Sequence, residues 1–128
     1  MDLKDPKLSE WKRFFKSFIY AWSGITQTFK SERNFQIHVS ISFIMLIVGM
    51  ILGFTTFEWV LLLFLLGGML SLELINTALE HVVDLITPDY HPLAKAAKDA
   101  AAGAVLVYAF LSVIIGVIII WSHLKLFL

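Results

Sequence analysis

The chain has 128 residues, of which 59% are hydrophobic, and its charged residues sum to a net charge of zero. That composition is too apolar for an ordinary soluble domain, and the length allows one domain, residues 1–128. The absence of cysteine excludes a disulfide framework and thiol chemistry, and the zero net charge implies no bulk attraction to nucleic acid. The composition therefore predicts a small integral membrane protein.

An amphipathic segment comes first along the chain, at about residues 7–30. Its hydrophobic residues recur at helical spacing on one face: Trp11, Phe14, Phe15, Phe18, Trp22, Ile25 and Phe29. Cationic residues, among them Lys12, Arg13 and Lys16, take the other faces. The pattern predicts a helix that lies on a membrane surface, with the aromatic side chains in the acyl boundary. Packing of the aromatic face against the other helices is an alternative that the pattern leaves open.

Three further segments, at about 34–56, 59–85 and 92–123, are long and apolar enough to cross a bilayer; the second is charge-free to residue 72 and the third is charge-free from residue 100. About 20 apolar residues suffice for one crossing. Thr87-Pro88 ends the second segment, and Pro92 is tolerated in the first turn of the third. The sequence therefore predicts an all-α membrane protein with three transmembrane helices and an N-terminal surface helix.

The basic residues are distributed unevenly around these spans. Seven of the 10 lysines and arginines precede the first span, Lys95 and Lys98 lie between the second span and the charge-free run 100–124 of the third, and one follows that run. Positive residues favour the cytoplasmic side. This bias predicts a cytoplasmic N-terminus, a cytoplasmic loop between the second and third spans, and a C-terminus outside.

Within the second predicted span, polar residues form a stripe on one helical face. The stripe comprises Glu73, Asn76, Thr77, Glu80 and Asp84, at offsets that share a face when successive residues turn by about 100°. An ionised side chain inside hydrocarbon costs about 2.5–3.5 kcal/mol on insertion scales, so such residues face partners or polar cavities. The stripe is therefore the candidate functional site.

The depth of each carboxylate in the membrane suggests its role. At about 1.5 Å per residue from Trp59, Glu73 lies roughly 21 Å into a hydrocarbon core of about 30 Å, and Glu80 reaches the far edge. Glu73 is thus placed to accept a proton from a lipid hydroxyl. Glu80 and Glu32 offer the hard oxygen ligands that Mg²⁺ prefers. Cations on the same side suit a nucleoside triphosphate: Arg13, Lys16, Lys95 and Lys98.

Two other classes of function remain open at this point. A proton- or cation-coupled transporter subunit would need a polar route that continues outward, and residues 59–72 offer Ser71 alone. A membrane scaffold would need no such convergence of charged residues.

Three spans do not easily surround Glu73, so we expect neighbouring subunits to do so. The small residues at 100–104 would allow close approach of helices.

Several motifs carry a resemblance to a known family. They are Glu73-Leu74-Ile75-Asn76-Thr77-Ala78-Leu79-Glu80, Val83-Asp84, Tyr90-His91-Pro92, Ala97-Lys98-Asp99, Glu32-Arg33-Asn34-Phe35 and the Tyr20-x-Trp22-x-Gly24 part of the surface helix. Together they resemble the prokaryotic diacylglycerol kinase family. Within it, the chain looks most like the undecaprenol kinases of Gram-positive bacteria, and the likeness covers about the whole chain.

The resemblance implies a homotrimer in the bacterial cell membrane, with active sites shared between subunits. It implies a kinase that uses ATP and Mg²⁺ to phosphorylate undecaprenol at the cytoplasmic interface, giving undecaprenyl phosphate. The alternative within the family is a diacylglycerol kinase that makes phosphatidic acid.

The resemblance also implies roles for individual residues. Glu73 matches the proton acceptor with Asn76 beside it, and Glu32 and Glu80 match the metal ligands. The nucleotide-binding positions are Arg13, Tyr20, Glu32, Glu80, His91, Lys98 and Asp99. The lipid-binding positions are Phe18, Trp22 and Phe35.

Overall fold

Four α-helices account for most of the described chain, which in this computed structural model comprises residues 9–125. They are α1 (Glu10–Ser31), α2 (Arg33–Leu52), α3 (Thr56–Ile86) and α4 (Pro92–Leu124). The start of the predicted surface helix, residues 7 and 8, lies outside the described residues. The all-α fold is confirmed, and α2, α3 and α4 are each long and apolar enough to cross a membrane.

A single extended residue, Glu32, separates α1 from α2. Its backbone N–H donates to the Thr28 carbonyl at 2.8 Å, and the Gln36 side chain donates to the Phe29 carbonyl, also at 2.8 Å. The first bond closes the last turn of α1, and the second joins the first turn of α2 to it. They hold α1 against α2 and α3 at one end of the bundle, here called the α1 end.

The opposite end, here called the loop end, carries a short connection between α2 and α3. α2 stops at Leu52, earlier than the predicted position 56, because Gly53 adopts a left-handed conformation with φ 71° and caps the helix. α3 starts at Thr56, before the predicted position 59, because Thr55 and Glu58 form a capping box. A count of charge-free residues does not detect these two caps, so the helix ends differ here from the approximate span limits read from the sequence.

The buried core lies next to this connection. Phe54, Leu62 and Ile119 form its centre, and the Phe54 ring stacks on the His123 imidazole with 5.2 Å between ring centroids. His123 Nε2 lies 3.1 Å from the Glu58 carboxylate. Phe54 and Glu58 therefore both contact His123, so these contacts join the α2–α3 connection and the start of α3 to the end of α4.

α3 is the central helix, because it packs against each of the other three. Its contact with α4 includes a hydrogen bond from the Tyr108 hydroxyl to the Phe64 carbonyl at 3.0 Å. The Tyr108 ring lies over Gly68, where a Cβ atom would overlap the hydroxyl group. Glycine at this position thus permits the close approach of the two helices.

α4 is longer than a bilayer crossing requires. Its 33 residues span about 50 Å, whereas the hydrocarbon core is about 30 Å thick. The excess includes the first turns of α4, which carry Lys95, Lys98 and Asp99. These charged turns lie at the α1 end, next to the last turns of α3.

We predict that Gly68→Ala lowers the free energy of unfolding by about 1–3 kcal/mol, because the new methyl group must displace the Tyr108 ring. Unfolding in mixed detergent micelles, followed by circular dichroism, measures the change. Gly67→Ala is the matched control, since a Cβ atom there meets nothing within 4 Å. Equal stability of the two variants would contradict the prediction.

Candidate active site

Glu73 is the buried carboxylate of the predicted stripe, with 4% of its surface exposed. Its Oε1 atom lies 3.2 Å from Nε2 of His38, which α2 presents from the adjacent position in the bundle. A carboxylate in an apolar bundle requires such a partner, because burial without one is strongly unfavourable. Helices of one chain therefore enclose Glu73. The expectation that neighbouring subunits also contact this residue stays a prediction.

Asn76 and Glu80 continue the stripe from Glu73 towards the α1 end. The Asn76 amide Nδ2 donates to Glu80 Oε1 at 2.9 Å, while Asn76 Oδ1 is buried and accepts no hydrogen bond from the described residues. Glu73 and Glu80 are about 10 Å apart along the helix axis. The stripe thus places one enclosed carboxylate and one partly exposed carboxylate in succession, with a buried amide oxygen between them that accepts no hydrogen bond from the described residues.

A cavity of about 460 Å³ lies between α1 and α3 beside these residues. Its lining includes Ser31 and His81, the chain neighbours of Glu32 and Glu80, so both predicted metal ligands belong to this end of the bundle. Glu32 accepts a hydrogen bond from Ser31 Oγ at 3.2 Å and makes no side-chain cap to α2.

Glu32 and Glu80, whose chain neighbours line the cavity, carry carboxylate oxygens of the kind that Mg²⁺ prefers. No cluster of three or more His, Asp or Glu side chains occurs within residues 9–125. Two carboxylates, completed by phosphate oxygens and water, are a usual protein contribution to a Mg²⁺ site. Glu32 and Glu80 supply that number.

The start of α4 holds three of the predicted nucleotide-binding residues. Lys98 pairs with Asp84, Asp99 pairs with Lys95, and His91 Nδ1 accepts a hydrogen bond from the Leu93 N–H at 3.2 Å. Both ion pairs are exposed, and exposed pairs contribute about 0–1 kcal/mol to stability. Either pair can therefore separate at small cost.

The predicted lipid-binding residues separate into two environments. Phe18 and Trp22 on α1 are largely exposed, at 62% and 67%, whereas Phe35 is 2% exposed. Phe35 follows the α1–α2 junction and is part of the interior, so it presents no surface to lipid here. Arg13 and Tyr20 are half-buried on α1, away from the exposed aromatic rings.

A family model described as "Prokaryotic diacylglycerol kinase" matches residues 19–120. The chain belongs to the prokaryotic diacylglycerol kinase family. An undecaprenol kinase of Bacillus subtilis (strain 168) is 56% identical over 119 residues, which cover 93% of this chain and 96% of that protein. A diacylglycerol kinase of Synechocystis is 44% identical, over 78% of this chain and 58% of that protein. A diacylglycerol kinase of Escherichia coli K12 is 31% identical, over 87% and 91%.

The family match covers most of the candidate site. Of the predicted site residues, Arg13 and Phe18 lie outside the matched range, and the others lie within it. Most of the candidate site therefore lies within the residues that the family model matches.

Sequence reasoning missed His38 as the partner of Glu73. One signal was present: His38 lies four residues after Asn34, roughly 6 Å into the first predicted span, close to the depth of Glu73. A histidine in an otherwise apolar run, at the depth of a buried acid, is a candidate partner. Periodicity within one helix does not reveal it, because the contact joins two helices.

Proposed function

We propose that this family member is an ATP- and Mg²⁺-dependent lipid kinase that transfers the γ-phosphate of ATP to undecaprenol, giving undecaprenyl phosphate. The observation that carries the proposal is the enclosed Glu73 carboxylate on a helix apolar enough to cross a membrane. Such a group is protected from bulk water, and in this proposal the lipid hydroxyl reaches it from the membrane. The identity of 56% to an undecaprenol kinase supports the choice of lipid.

In the proposed reaction, the lipid hydroxyl oxygen attacks the γ-phosphorus of ATP. The new phosphorus–oxygen bond forms as the bond to the β-phosphate oxygen breaks, and ADP leaves. Glu73 accepts the hydroxyl proton, a role that typically accelerates a reaction by about 10²–10⁴. Asn76 holds the Glu80 carboxylate one turn further along α3 and so keeps it in place.

Glu32 and Glu80 would hold Mg²⁺, which neutralises negative charge on the phosphates of the nucleotide. We propose that Arg13, Tyr20, His91, Lys98 and Asp99 surround the nucleotide. The Lys98–Asp84 and Lys95–Asp99 pairs support this arrangement, because lysines held near the site by exposed partners can turn to phosphate oxygens. When the nucleotide binds, each lysine would then exchange its carboxylate partner for a phosphate oxygen.

We propose that α1 lies on the cytoplasmic surface of the bacterial cell membrane, with Phe18 and Trp22 in the lipid boundary. The exposure of both side chains supports this placement. The uneven distribution of basic residues supports a cytoplasmic N-terminus and an outer C-terminus. ATP would then reach the α1 end directly from the cytoplasm.

We also propose a homotrimer whose active sites are shared between subunits. Within one chain, most of the apolar part of α4 is exposed, which leaves a long surface for lipid or for other subunits. The small residues at 100–104 would allow helices to approach closely. Family resemblance supplies the number of subunits.

Diacylglycerol is the second candidate substrate, with phosphatidic acid as the product. The relatives named diacylglycerol kinases favour it, but their identities of 44% and 31% are lower than the 56% of the undecaprenol kinase. Undecaprenol is therefore placed first.

Transfer of labelled phosphate from ATP to undecaprenol and to diacylglycerol, measured side by side in mixed micelles, tests the function. We expect labelling that requires magnesium and a higher kcat/KM for undecaprenol. A preference for diacylglycerol would overturn the choice of lipid and keep the kinase. Labelling of neither lipid would overturn the kinase and favour a transporter subunit or a scaffold.

Glu73→Gln should lower kcat by at least about 100-fold while nucleotide affinity stays close to that of the wild type, because it removes the proton acceptor. Glu80→Gln should instead weaken binding of the magnesium–nucleotide complex. Steady-state kinetics and nucleotide-binding titrations measure the two effects. Glu58→Gln, which alters the carboxylate at the loop end, is the control and should keep normal turnover. Normal turnover by Glu73→Gln would refute its role.

Mixed oligomers test whether sites are shared. Glu32→Gln subunits and Glu73→Gln subunits, each inactive alone, should regain part of the activity when they are mixed and reassembled. Complementation occurs only if one subunit supplies Glu32 and another supplies Glu73 to the same site. Absence of activity in mixed oligomers, verified by two affinity tags, would show that each site lies within one chain.

A further inference from the structure

His38 makes a polar contact between α2 and α3 at the level of the enclosed carboxylate. Its Nε2 atom lies 3.2 Å from Glu73 Oε1, and both side chains are mostly covered. A proton on Nε2 would turn this close contact into a hydrogen bond, because a carboxylate oxygen accepts. The Glu73 carboxylate is then held through one oxygen, and its other oxygen remains for a second partner.

Among the described residues, Glu73 is the polar side chain that lies against the His38 ring. His38 also borders an apolar cavity of about 260 Å³ that extends along α2, α3 and α4 to the loop end. The other polar side chains on that cavity, Ser42 and Ser112, donate to the carbonyls of His38 and Tyr108 in their own helices, at 2.7 and 2.8 Å. Among the described residues, neither serine competes for the imidazole nitrogen.

We infer that His38 is a positioning residue, which orients the Glu73 carboxylate so that its second oxygen accepts the proton of the lipid alcohol. This inference rests on the proposed function. A carboxylate without the bond would rotate about its side-chain torsions, and the geometry of proton transfer depends strongly on orientation. His38 acts through Glu73 and does not itself exchange a proton with the substrate. Nothing in the polar stripe of α3 replaces it, because Asn76 is bonded to Glu80.

Kinetics of His38 variants test the inference. His38→Leu should lower kcat by about 10- to 100-fold, the loss expected for one hydrogen bond to a charged group, while KM for ATP stays unchanged. His38→Gln, whose amide can donate to the same oxygen, should recover most of the lost turnover. In a Glu73→Gln background, His38→Leu should cause little further loss, since the two residues act as one unit.

The loop end offers a matched control. His123→Leu also removes a histidine from a contact with a glutamate, but that contact lies at the far end of the bundle. It should affect stability and leave kcat unchanged. If His38→Leu lowers kcat no more than His123→Leu does, or if His38→Gln is no better than His38→Leu, the positioning role is wrong.

A spectroscopic measurement covers the case in which a His38 variant fails to fold. The ¹⁵N shifts of the His38 ring in the wild-type protein should report a proton on Nε2, and Glu73→Gln should change them, whereas Glu58→Gln should not. An unprotonated Nε2, or shifts unaffected by Glu73→Gln, would overturn the inference. Failure of the wild type to phosphorylate any lipid would instead overturn the proposed function, and the ring shifts would still report whether the contact exists.

Discussion

The cost of placing the Glu73 carboxylate in an apolar helix bundle is the constraint on which the rest of the structure depends. A buried carboxylate without a partner would strongly destabilise the fold, so another element must bring a donor to it. α2 does this with His38, and the contact at 3.2 Å requires α2 and α3 to be neighbours in a defined register. The same packing leaves Asn76 and Glu80 on the continuation of that face, towards the α1 end.

The two ends of the bundle differ in how their polar groups are held. At the loop end, the Thr55–Glu58 capping box, the Glu58–His123 contact and the Phe54 ring form an interlocked cluster. At the α1 end, the ion pairs are exposed, and Glu32 makes no side-chain cap to α2. Tightly packed groups resist rearrangement, whereas exposed pairs exchange partners at small cost. This difference suits an anchor at one end and ligand exchange at the other.

Family membership and the geometry answer different questions. The match over residues 19–120 places the chain among the prokaryotic diacylglycerol kinases, and the identity to an undecaprenol kinase guides the choice of lipid. Only the geometry distinguishes the contributions of individual residues. Phe35 and Trp22 both lie in the matched region and were both expected to contact lipid, yet one is interior and the other is exposed.

The sequence by itself determined the helical class, the three apolar helices and the polar face of α3, because each of these follows from the spacing of residues along one helix. The tertiary structure decided the contacts between helices and the positions of the helix ends, which the spacing of residues along one helix does not encode. His38 became the partner of Glu73, and one chain enclosed that carboxylate, because α2 lies against α3. Helix ends at Gly53 and Thr55 depended on backbone conformation and capping bonds, which a count of apolar residues does not contain. Contacts between helices depend on how the faces meet, and that is a property of the folded chain.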